Sequence, residues 1–400
     1  MTATTTDQKA PGRAERGKLP LAGLLALFTA GFLGILNETI PAGLLPEMAR
    51  GLGVSESAAG QSITIYALAT ALTAIPLNVV LRTWGRRTVL VLALLTFVAA
   101  NAVSAFTDSF VLLLVVRFVA GVGAGLIWSN LGGYAARLVA PHLQGKAITI
   151  AMAGTPIALA LGLPAGTILG GVAGWHAAFG AVAAVGALLL VWAFVALPNV
   201  KGQGDGDHVP FRTILRTPGV AVILWVGAGF MVAHNMVYTY IGPLAIAAGL
   251  GDLIQWVLLV FGVAALVSIW LTGAFVDPHH RKLILLSTTV LGTGALILGF
   301  ATFSPVLLYV GVAVWGFGFG GSATLFITAG MRAAGTNAVQ SLLVTVFNIS
   351  IALGGIMGGL LLAGFGAMII PWVAVAIMIP TSIMTFQGRR HAFPRWPALL

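Results

Sequence analysis

Twelve apolar runs dominate this chain, and each is long enough to cross the hydrocarbon core of a bilayer, which takes about 20 helical residues. Soluble domains carry roughly 25% charged residues. This 400-residue chain has 8% charged and 59% apolar residues, too few charges to cover a water-facing surface. Because the runs are continuous and not alternating, they predict membrane helices and exclude a barrel of strands. The predicted spans are 20–45, 59–81, 88–106, 110–136, 146–170, 174–197, 219–247, 253–276, 283–302, 305–330, 338–363 and 367–387.

The positions of the basic residues predict the orientation of the chain. Eighteen of the 20 Lys and Arg residues fall in tails, or in gaps that lie on one side of the membrane if the spans alternate. Short cytoplasmic loops are enriched in Lys and Arg, so this side, which holds both termini, is predicted to be cytoplasmic. The net charge of +10 therefore reflects topology and not a nucleic-acid-binding surface. We expect a multi-pass protein of the inner (plasma) membrane.

Polar segments divide the chain into parts. Residues 1–18 and 389–400 are predicted to be cytoplasmic tails, the first of them disordered, and 198–218 is predicted to be a polar cytoplasmic linker. These segments leave two halves of six spans each, 19–197 and 219–388. The predicted fold is therefore an all-α integral membrane protein, in which twelve transmembrane helices form two six-helix bundles.

Three pairs of segments indicate that the two halves are repeats, which makes the bundles pseudo-symmetric. Their offsets are similar, between 192 and 197 residues, and each pair joins segments that are six spans apart. In transporters, internal repeats place the substrate site at their interface. The pairs are the loops that begin at Asn78 and Gly273, the glycines Gly162 and Gly166 with Gly354 and Gly358, and the prolines Pro46 and Pro243.

A loop motif carries a resemblance to a known family. GAFVDPHHRK, between spans 8 and 9, is similar to the motif G-x-x-x-D-x-x-x-R-[RK] of the major facilitator superfamily at Gly273, Asp277, Arg281 and Lys282. Two bundles of six spans with a central polar linker and cytoplasmic termini also resemble this family. The resemblance implies a secondary transporter that works by alternating access.

The equivalent loop of the first half keeps only part of this motif. NVVLRTWGRR retains Gly85, Arg86 and Arg87, but it has Asn78 where the family has its first glycine and Arg82 where it has the acid. We therefore expect no gating role for an acid in this loop.

Motifs within the spans narrow the resemblance to one branch of the family. LLLVVRFVAGVGAG in span 4 resembles the signature R-x-x-x-G-x-G, and GTPIALALGLPAGTILGG in span 5 resembles the glycine–proline antiporter signature, with a different spacing. Spans 1 and 7 are similar to the drug and sugar efflux permeases of the twelve-span drug/proton antiporter branch. The resemblance covers about residues 20–388. It implies conformational or gating roles for loop and span 5 residues: Gly85, Arg86, Arg87, Gly273, Asp277, Arg281, Gly162, Pro164 and Gly166.

Glu38 and Arg117 are the only acidic and basic residues embedded in the predicted spans. Charged side chains within a membrane cost several kcal/mol, so they are rare and usually face a cavity or a partner. We therefore expect Glu38 to couple proton movement to transport; the alternative is a hydrated structural carboxylate. Both residues lie about 10 Å from the outer ends of their spans at 1.5 Å per residue. This predicts direct or water-mediated coupling between them; the alternative is a structural Arg117 bonded to backbone carbonyls.

Polar and aromatic residues within the spans are candidates for the substrate site. His234, Asn235 and Tyr238 lie together in span 7, and His234, Tyr238 and Pro243 resemble the pattern of the efflux permeases. Histidine titrates near neutral pH, so His234 has three interpretations: a proton carrier, a hydrogen-bonding group for substrate, or a packed core residue. Further residues expected to line the same cavity are Asn37, Tyr66, Trp128, Asn130 and Asn348.

Several kinds of chemistry have no motif in this sequence. The chain has no cysteine, which excludes a disulfide framework, a thiolate nucleophile and a Cys-ligated metal. GVGAG and GFGFGG lie within apolar spans and lack the context of a phosphate-binding loop. His279 and His280 are adjacent, so they point apart and predict no metal site. We expect no metal and no cofactor, and a proton gradient as the energy source.

The predicted function is export of a small molecule, such as a drug or a sugar, in exchange for protons. Proton-coupled uptake by symport is the first alternative, because the same fold supports it. A polytopic lipid-modifying enzyme is the second; it would need clustered acids or histidines, which the spans lack. The expected partners are the substrate, protons and the bilayer, with no nucleic acid, and the family resemblance suggests a monomer.

Overall fold

The computed structural model describes residues 19–81, 83–140, 143–201, 211–334 and 338–394, and the regular secondary structure of these residues is entirely helical. Twelve long helices alternate in direction through this part of the chain. Eleven of them are both long and apolar enough to cross a membrane. In chain order the twelve are α1 (Leu21–Gly43), α2 (Glu56–Val80), α3 (Arg86–Ser104), α4 (Phe110–Arg137), α5 (Lys146–Ala173), α6 (Trp175–Ala196), α7 (Val220–Thr239), α8 (Gly251–Val276), α9 (His279–Leu298), α10 (Pro305–Ala334), α11 (Leu342–Phe365) and α12 (Ile369–Gln387).

Helix α2 occupies the place of the predicted second span. Its 25 residues extend over about 37 Å at 1.5 Å per residue, enough for a hydrocarbon core of about 30 Å.

The polar segments predicted at the chain ends and in the centre are described only in part. The tail 1–18, the loop residue Arg82 and most of the linker 198–218 lie outside the described residues, although a short helix, Phe211–Leu215, lies near the end of the linker.

The first and seventh spans, which the sequence predicts as continuous segments, are each broken near one end. After α1 the chain turns at Leu44 and continues as the short helix Leu45–Leu52; after α7 it turns at Tyr240 and continues as Ile241–Ala247. A proline lies in the first turn of each short helix, where its missing N–H has no intrahelical acceptor to lose. The breaks are 196 positions apart, within the range of offsets of the predicted repeats.

Helix α5 is irregular at its centre. Residues Ala158–Gly162 form a π-helical turn, and Pro164 follows almost at once. Proline has no N–H to bond the carbonyl four residues earlier, so the chain accommodates a widened turn there. Helices α8 and α9 are likewise separated by a sharp kink, at which His279 has a non-helical backbone (φ −125°, ψ 19°).

The two halves meet along two pairs of helices, α2 with α11 and α5 with α8. Helix α8 approaches α5 so closely at Gly262 that a Cβ atom there would overlap the backbone of Ala160. Small residues allow this kind of backbone contact between membrane helices. The halves thus form one body with a shared interface, in which the residues described next are located.

Candidate functional site

Glu38 lies in α1, five residues before the helix ends at Gly43. Its side chain is buried, with only 8% of its surface exposed. The carboxylate has no ion pair and no hydrogen bond with any described residue, and Arg117 is bonded to the adjacent residue Asn37. An acid that is withdrawn from water and lacks a contacting counter-ion is suited to exchanging a proton, because its neutral form is buried at low cost.

Arg117 is held by the first two helices through its own nitrogen atoms. Nη1 donates to the backbone oxygen of Asn37 at 2.8 Å and to its side-chain Oδ1 at 3.1 Å, and Nε donates to the backbone oxygen of Ser62 at 3.3 Å. The guanidinium carbon also lies 4.5 Å from the centroid of the Tyr66 ring. These bonds match the interpretation in which Arg117 binds backbone carbonyls. Because Asn37 precedes Glu38, they also keep the cation near the acid.

Three of the predicted substrate residues lie in or against one stretch of α1. Asn37 bonds to Arg117 as described, and the Tyr66 hydroxyl donates to the backbone oxygen of Gly34 at 3.3 Å. The Trp128 ring also packs against Gly34, 3.4 Å from the position that a Cβ would occupy. Two buried donors near this stretch of α1, Nη2 of Arg117 and Nδ2 of Asn37, have no hydrogen-bond partner among the described residues.

His234 of α7 is the second-half counterpart of Glu38, since each lies six residues before the break in its helix, at Tyr240 and Leu44 respectively. The imidazole is buried and stacks on Phe319, with the ring centroids 3.6 Å apart and an angle of 6° between the planes. Three more rings have centroids within 5.9 Å of it, those of Tyr238, Phe261 and Trp315. We call these five residues the aromatic compartment.

The aromatic compartment meets the first half of the chain at Tyr238. Its hydroxyl lies beside Thr39, and it is close enough to Glu38 for the charge of the acid to act on it. Nδ1 of His234 and Nε1 of Trp315 are also buried, and neither has a hydrogen-bond partner in the described part of the chain. The acid, the cation and the compartment therefore belong to one site between the two halves.

The remaining predicted asparagines make local or distant bonds. Asn235 and Asn348 each donate from Nδ2 to a carbonyl four residues back in their own helix, at 2.9 Å in both cases. Asn130 donates to the backbone oxygen of Arg86 at 3.0 Å, and Nη1 of Arg86 donates to Oδ1 of Asn130 at 3.4 Å. The structure therefore does not bring Asn130 to the predicted cavity; it brings it to a loop arginine at the start of α3.

The loop arginines bind the ends of the sixth helix of each half. Arg87 donates to two carbonyl oxygens at the end of α6, at 3.2 and 3.3 Å. Arg281 donates to one at the end of α12, at 2.9 Å, and to one beyond it, at 2.7 Å. Carbonyls at helix ends lack intrahelical partners and favour cations.

The other predicted gating residues of these loops are two glycines and an acid. Gly85 precedes α3, Gly273 has open space around it, and the side chain of Asp277 lies outside what the structure describes.

The glycines predicted to act in span 5 pack on α1 of their own half. A Cβ at Gly162 would press against the Phe32 ring, and one at Gly166 would press against the Ile40 side chain. Pro164, between them, is buried at the start of the regular helix that follows the π-helical turn. This part of α5 therefore borders the helix that carries the acid.

Hydrogen bonds join the two halves at the remote end, by which we mean the end opposite to that where α1 begins and α12 ends. Ser57 donates to the backbone oxygen of Gly359 at 2.7 Å. Nε2 of Gln61 in the first half donates to the Tyr240 hydroxyl in the second at 3.3 Å, and within the second half this hydroxyl donates to the backbone oxygen of Gly355 at 2.9 Å. These bonds close the site toward the remote end.

Sequence reasoning missed three residues of the site, Phe261, Trp315 and Phe319. Each is an aromatic residue in an apolar helix, as are Trp225 and Trp270, whose side chains are largely exposed on the outside of the bundle. The GFGFGG run that includes Phe319 was a visible signal of close helix packing, but it does not indicate which neighbours the rings contact.

The site offers three kinds of interaction to a small molecule. One acid accepts or releases a proton, fixed donors form hydrogen bonds, and aromatic faces stack on rings. No group of three or more His, Asp or Glu side chains within the described ranges is placed to hold a metal ion. The arrangement therefore supports binding and proton exchange.

Comparison with known proteins shows extensive similarity. The sequence model of the Major Facilitator Superfamily matches residues 27–359. A chloramphenicol efflux pump of Mycobacterium tuberculosis is 30% identical over 406 aligned residues, which cover 98% of this chain and 96% of the pump. The purine ribonucleoside efflux pump NepI of Escherichia coli is 30% identical over 359 residues, which cover 88% and 89% of the two chains.

Solved structures show the same fold. A bacterial homologue of the human lysosomal transporter Spinster, inward-facing and unoccupied, aligns with a TM-score of 0.71 at 15% identity, over 95% of this chain and 99% of its own. The nucleoside transporter NupG aligns with a TM-score of 0.75 at 12% identity, over 92% and 99% of the two chains.

Proposed function

Because this chain belongs to the major facilitator superfamily, and is therefore a membrane transporter and not an enzyme, we propose that it exports a small molecule in exchange for protons. The observation that carries the proposal is Glu38, a buried acid near a fixed cation and without an ion pair among the described residues. The similarity to a chloramphenicol efflux pump and a purine ribonucleoside efflux pump supports export as the direction of transport.

Glu38 exchanges the proton because both of its charge states are tolerated in this position. The protonated carboxyl is neutral and is buried at low cost, whereas the ionised carboxylate is stabilised in part by Arg117. Since Arg117 is fixed to Asn37 and Ser62, it remains near the acid in either state. A change in the surroundings of Glu38, such as arrival of the substrate or opening to one side, then shifts the balance between the two forms.

Alternating access follows from the arrangement of the two halves. The distribution of Lys and Arg supports a remote end that faces the outside of the cell, and the closed remote end then corresponds to an inward-facing state. In this state Glu38 releases its proton inward and the substrate enters. The remote end then opens, a proton from outside neutralises the acid, and the substrate leaves.

The proposal also specifies the orientation of the chain in the membrane, the energy source for export and the number of chains in the transporter. Both termini lie in the cytoplasm, as the distribution of Lys and Arg indicates. The proton gradient drives export without a bound cofactor. One chain suffices, since the acid and the cation come from its first half and the aromatic compartment from its second.

The test measures proton movement in everted membrane vesicles that contain the protein. A pH gradient is established, and chloramphenicol or inosine is added to wild type, Glu38→Gln and Glu47→Gln. Glu47 is a matched acid outside the site, paired with Arg50 at 3.6 Å. We expect added substrate to discharge the gradient with wild type and Glu47→Gln, and not with Glu38→Gln.

Two outcomes contradict the proposal. Discharge by Glu38→Gln at the wild-type rate shows that the acid does not carry the proton. Accumulation of labelled substrate on the cytoplasmic side at the expense of the gradient shows proton-coupled uptake instead of export.

A further inference from the structure

The second half carries a cleft away from the site, at the end of the bundle where α7 begins and α12 ends. The cleft has a volume of about 480 Å³ and is lined by Gly219, Val222 and residues 386–392. At Gly219 the chain comes so close to His391 that a Cβ atom there would overlap the His391 carbonyl group. We call this space the C-terminal cleft.

The segment that follows α12 is held in a fixed shape. Arg281 of α9 donates from Nη2 to the backbone oxygen of Phe386 at 2.9 Å and from Nη1 to that of Phe393 at 2.7 Å. Phe393 is fully buried, and its N–H donates to the backbone oxygen of Gly388 at 2.8 Å. The residues between the two phenylalanines therefore turn back against the start of α7 and do not extend into solvent.

Two adjacent arginines of this segment lack a partner. Arg389 and Arg390 are exposed and line the C-terminal cleft. Neither guanidinium forms an ion pair or a hydrogen bond with any residue that the structure describes. Two guanidinium groups that are not neutralised, on a turn that is already ordered, favour an anion, and the oxygens of a phosphate match their planar donors.

The helix below these arginines presents an apolar face to the outside. Ile379, Ile383 and Phe386 are spaced four and three residues apart, so they lie on one face of α12, and each is at least half exposed. On a membrane helix such a face contacts the acyl chains of lipids. Helix α12 ends at Gln387 and α7 begins at Val220, which places the C-terminal cleft where these membrane helices reach the headgroup region.

We propose that the C-terminal cleft binds an anionic phospholipid, with the phosphate on Arg389 and Arg390 and the acyl chains along the exposed face of α12. Basic pockets between membrane helices bind anionic headgroups in this way. A free phosphate uses the arginines alone, whereas a lipid uses both the arginines and the apolar face. A zwitterionic lipid gains less, because the same arginines repel its ammonium group. This site is separate from Glu38 and does not depend on export.

Native mass spectrometry of the full chain, purified in detergent micelles, resolves each bound lipid and gives its dissociation constant. The lipid probes are phosphatidylglycerol and phosphatidylcholine with identical acyl chains. The third probe is glycerol 3-phosphate, which has the anionic phosphate and no chains. We expect the first phosphatidylglycerol to bind at least about fivefold more tightly than the first phosphatidylcholine. Glycerol 3-phosphate at the same concentration should not displace it.

The double variant Arg389→Gln with Arg390→Gln tests the two arginines. An arginine near a membrane surface strengthens binding to anionic lipid about fivefold, so we expect the double variant to bind phosphatidylglycerol about five- to thirtyfold more weakly. Since both side chains are exposed, the lipid-free variant should unfold at the wild-type temperature. The matched control is Lys146→Gln with Lys201→Gln, which removes two exposed positive charges at the same end of the first half, outside the cleft. It should bind phosphatidylglycerol like wild type.

The proposal is wrong if phosphatidylcholine binds as tightly as phosphatidylglycerol, or if the arginine double variant binds phosphatidylglycerol like wild type. It is also wrong if the lysine control loses as much affinity, because diffuse charge and not the cleft then attracts the lipid. Binding of glycerol 3-phosphate as tight as that of phosphatidylglycerol shows that a free phosphate is the ligand instead. None of these measurements involves proton movement, so their outcome is distinct from that of the test of export.

Discussion

The Tyr240 hydroxyl joins three helices at the remote end, and we expect its removal in Tyr240→Phe to open that end more often. It donates to the backbone oxygen of Gly355 in α11 at 2.9 Å and accepts from Gln61 in α2 at 3.3 Å. Tyr240 itself lies in the break after α7 and is fully buried. The variant therefore loses one bond between the halves, that with Gln61, and one bond within the second half, that with Gly355, and it retains the ring.

The size of the effect follows from the one bond between the halves. A neutral hydrogen bond contributes about 0.5–1.5 kcal/mol, so the closed remote end should be destabilised by about that amount relative to a state in which the same groups are hydrated. The ratio of open to closed remote ends should then rise about two- to thirteenfold.

Spin labels at the remote end measure this ratio. The chain has no native cysteine, so Arg50→Cys in the first half and Ala363→Cys in the second provide the only two labelling positions. Both residues are exposed. Pulsed electron paramagnetic resonance on the doubly labelled protein gives the distance between the labels, with a longer distance when the remote end opens. We expect Tyr240→Phe to increase the long-distance fraction.

The same distance measurement provides the control variant and the result that would refute the prediction. Tyr309→Phe removes a tyrosine hydroxyl from α10, away from the contact between the halves, and should leave the distances at their wild-type values. If Tyr240→Phe gives the wild-type ratio of short to long distances, the bond between Gln61 and Tyr240 does not hold the remote end closed, and the reasoning is wrong.

Two further substitutions test the site and the interface. Lysine in Arg117→Lys cannot keep both bonds to Asn37 together with the planar contact on the neighbouring tyrosine. We therefore expect the free energy of unfolding to fall by about 1.5–3 kcal/mol. An unchanged thermal unfolding midpoint would contradict this expectation. Gly262→Ala introduces a Cβ that overlaps the backbone of Ala160, so substrate-coupled proton movement should fall at least about tenfold. Gly171→Ala in α5, where the added Cβ has open space around it, should be active, and equal activity of the two variants would refute the argument.

The acid and the cation of the site were identifiable from the sequence because charge within a membrane span is costly wherever it lies. Glu38 and Arg117 needed no knowledge of their neighbours to be singled out. Their bonding was not predictable, since it depends on which faces of α1, α2 and α4 meet. The sequence left open both coupling between the two residues and a structural Arg117. The structure shows Arg117 bonded to Asn37 and Ser62, and Glu38 without an ion pair among the described residues.

The aromatic compartment shows the limit of sequence reasoning most clearly. Trp315 and Trp225 both lie in apolar helices, and nothing in their local sequence separates a ring inside the bundle from one on its outside. Trp315 is fully buried, and Trp225 is 70% exposed. Lipid and protein interior are both apolar, so the usual rule that apolar residues are buried does not distinguish the two faces of a membrane helix.

The sequence by itself determined the long helices and the presence of one acid within the apolar spans, and it predicted two related halves. These follow from local properties: the length of apolar segments, the distribution of basic residues and the cost of burying charge. Only the tertiary structure decided that Asn130 binds Arg86, that His234 is surrounded by rings and that the remote end is closed. Those arrangements depend on helix rotation and on contacts between residues far apart in the chain, for which one sequence carries no local signal.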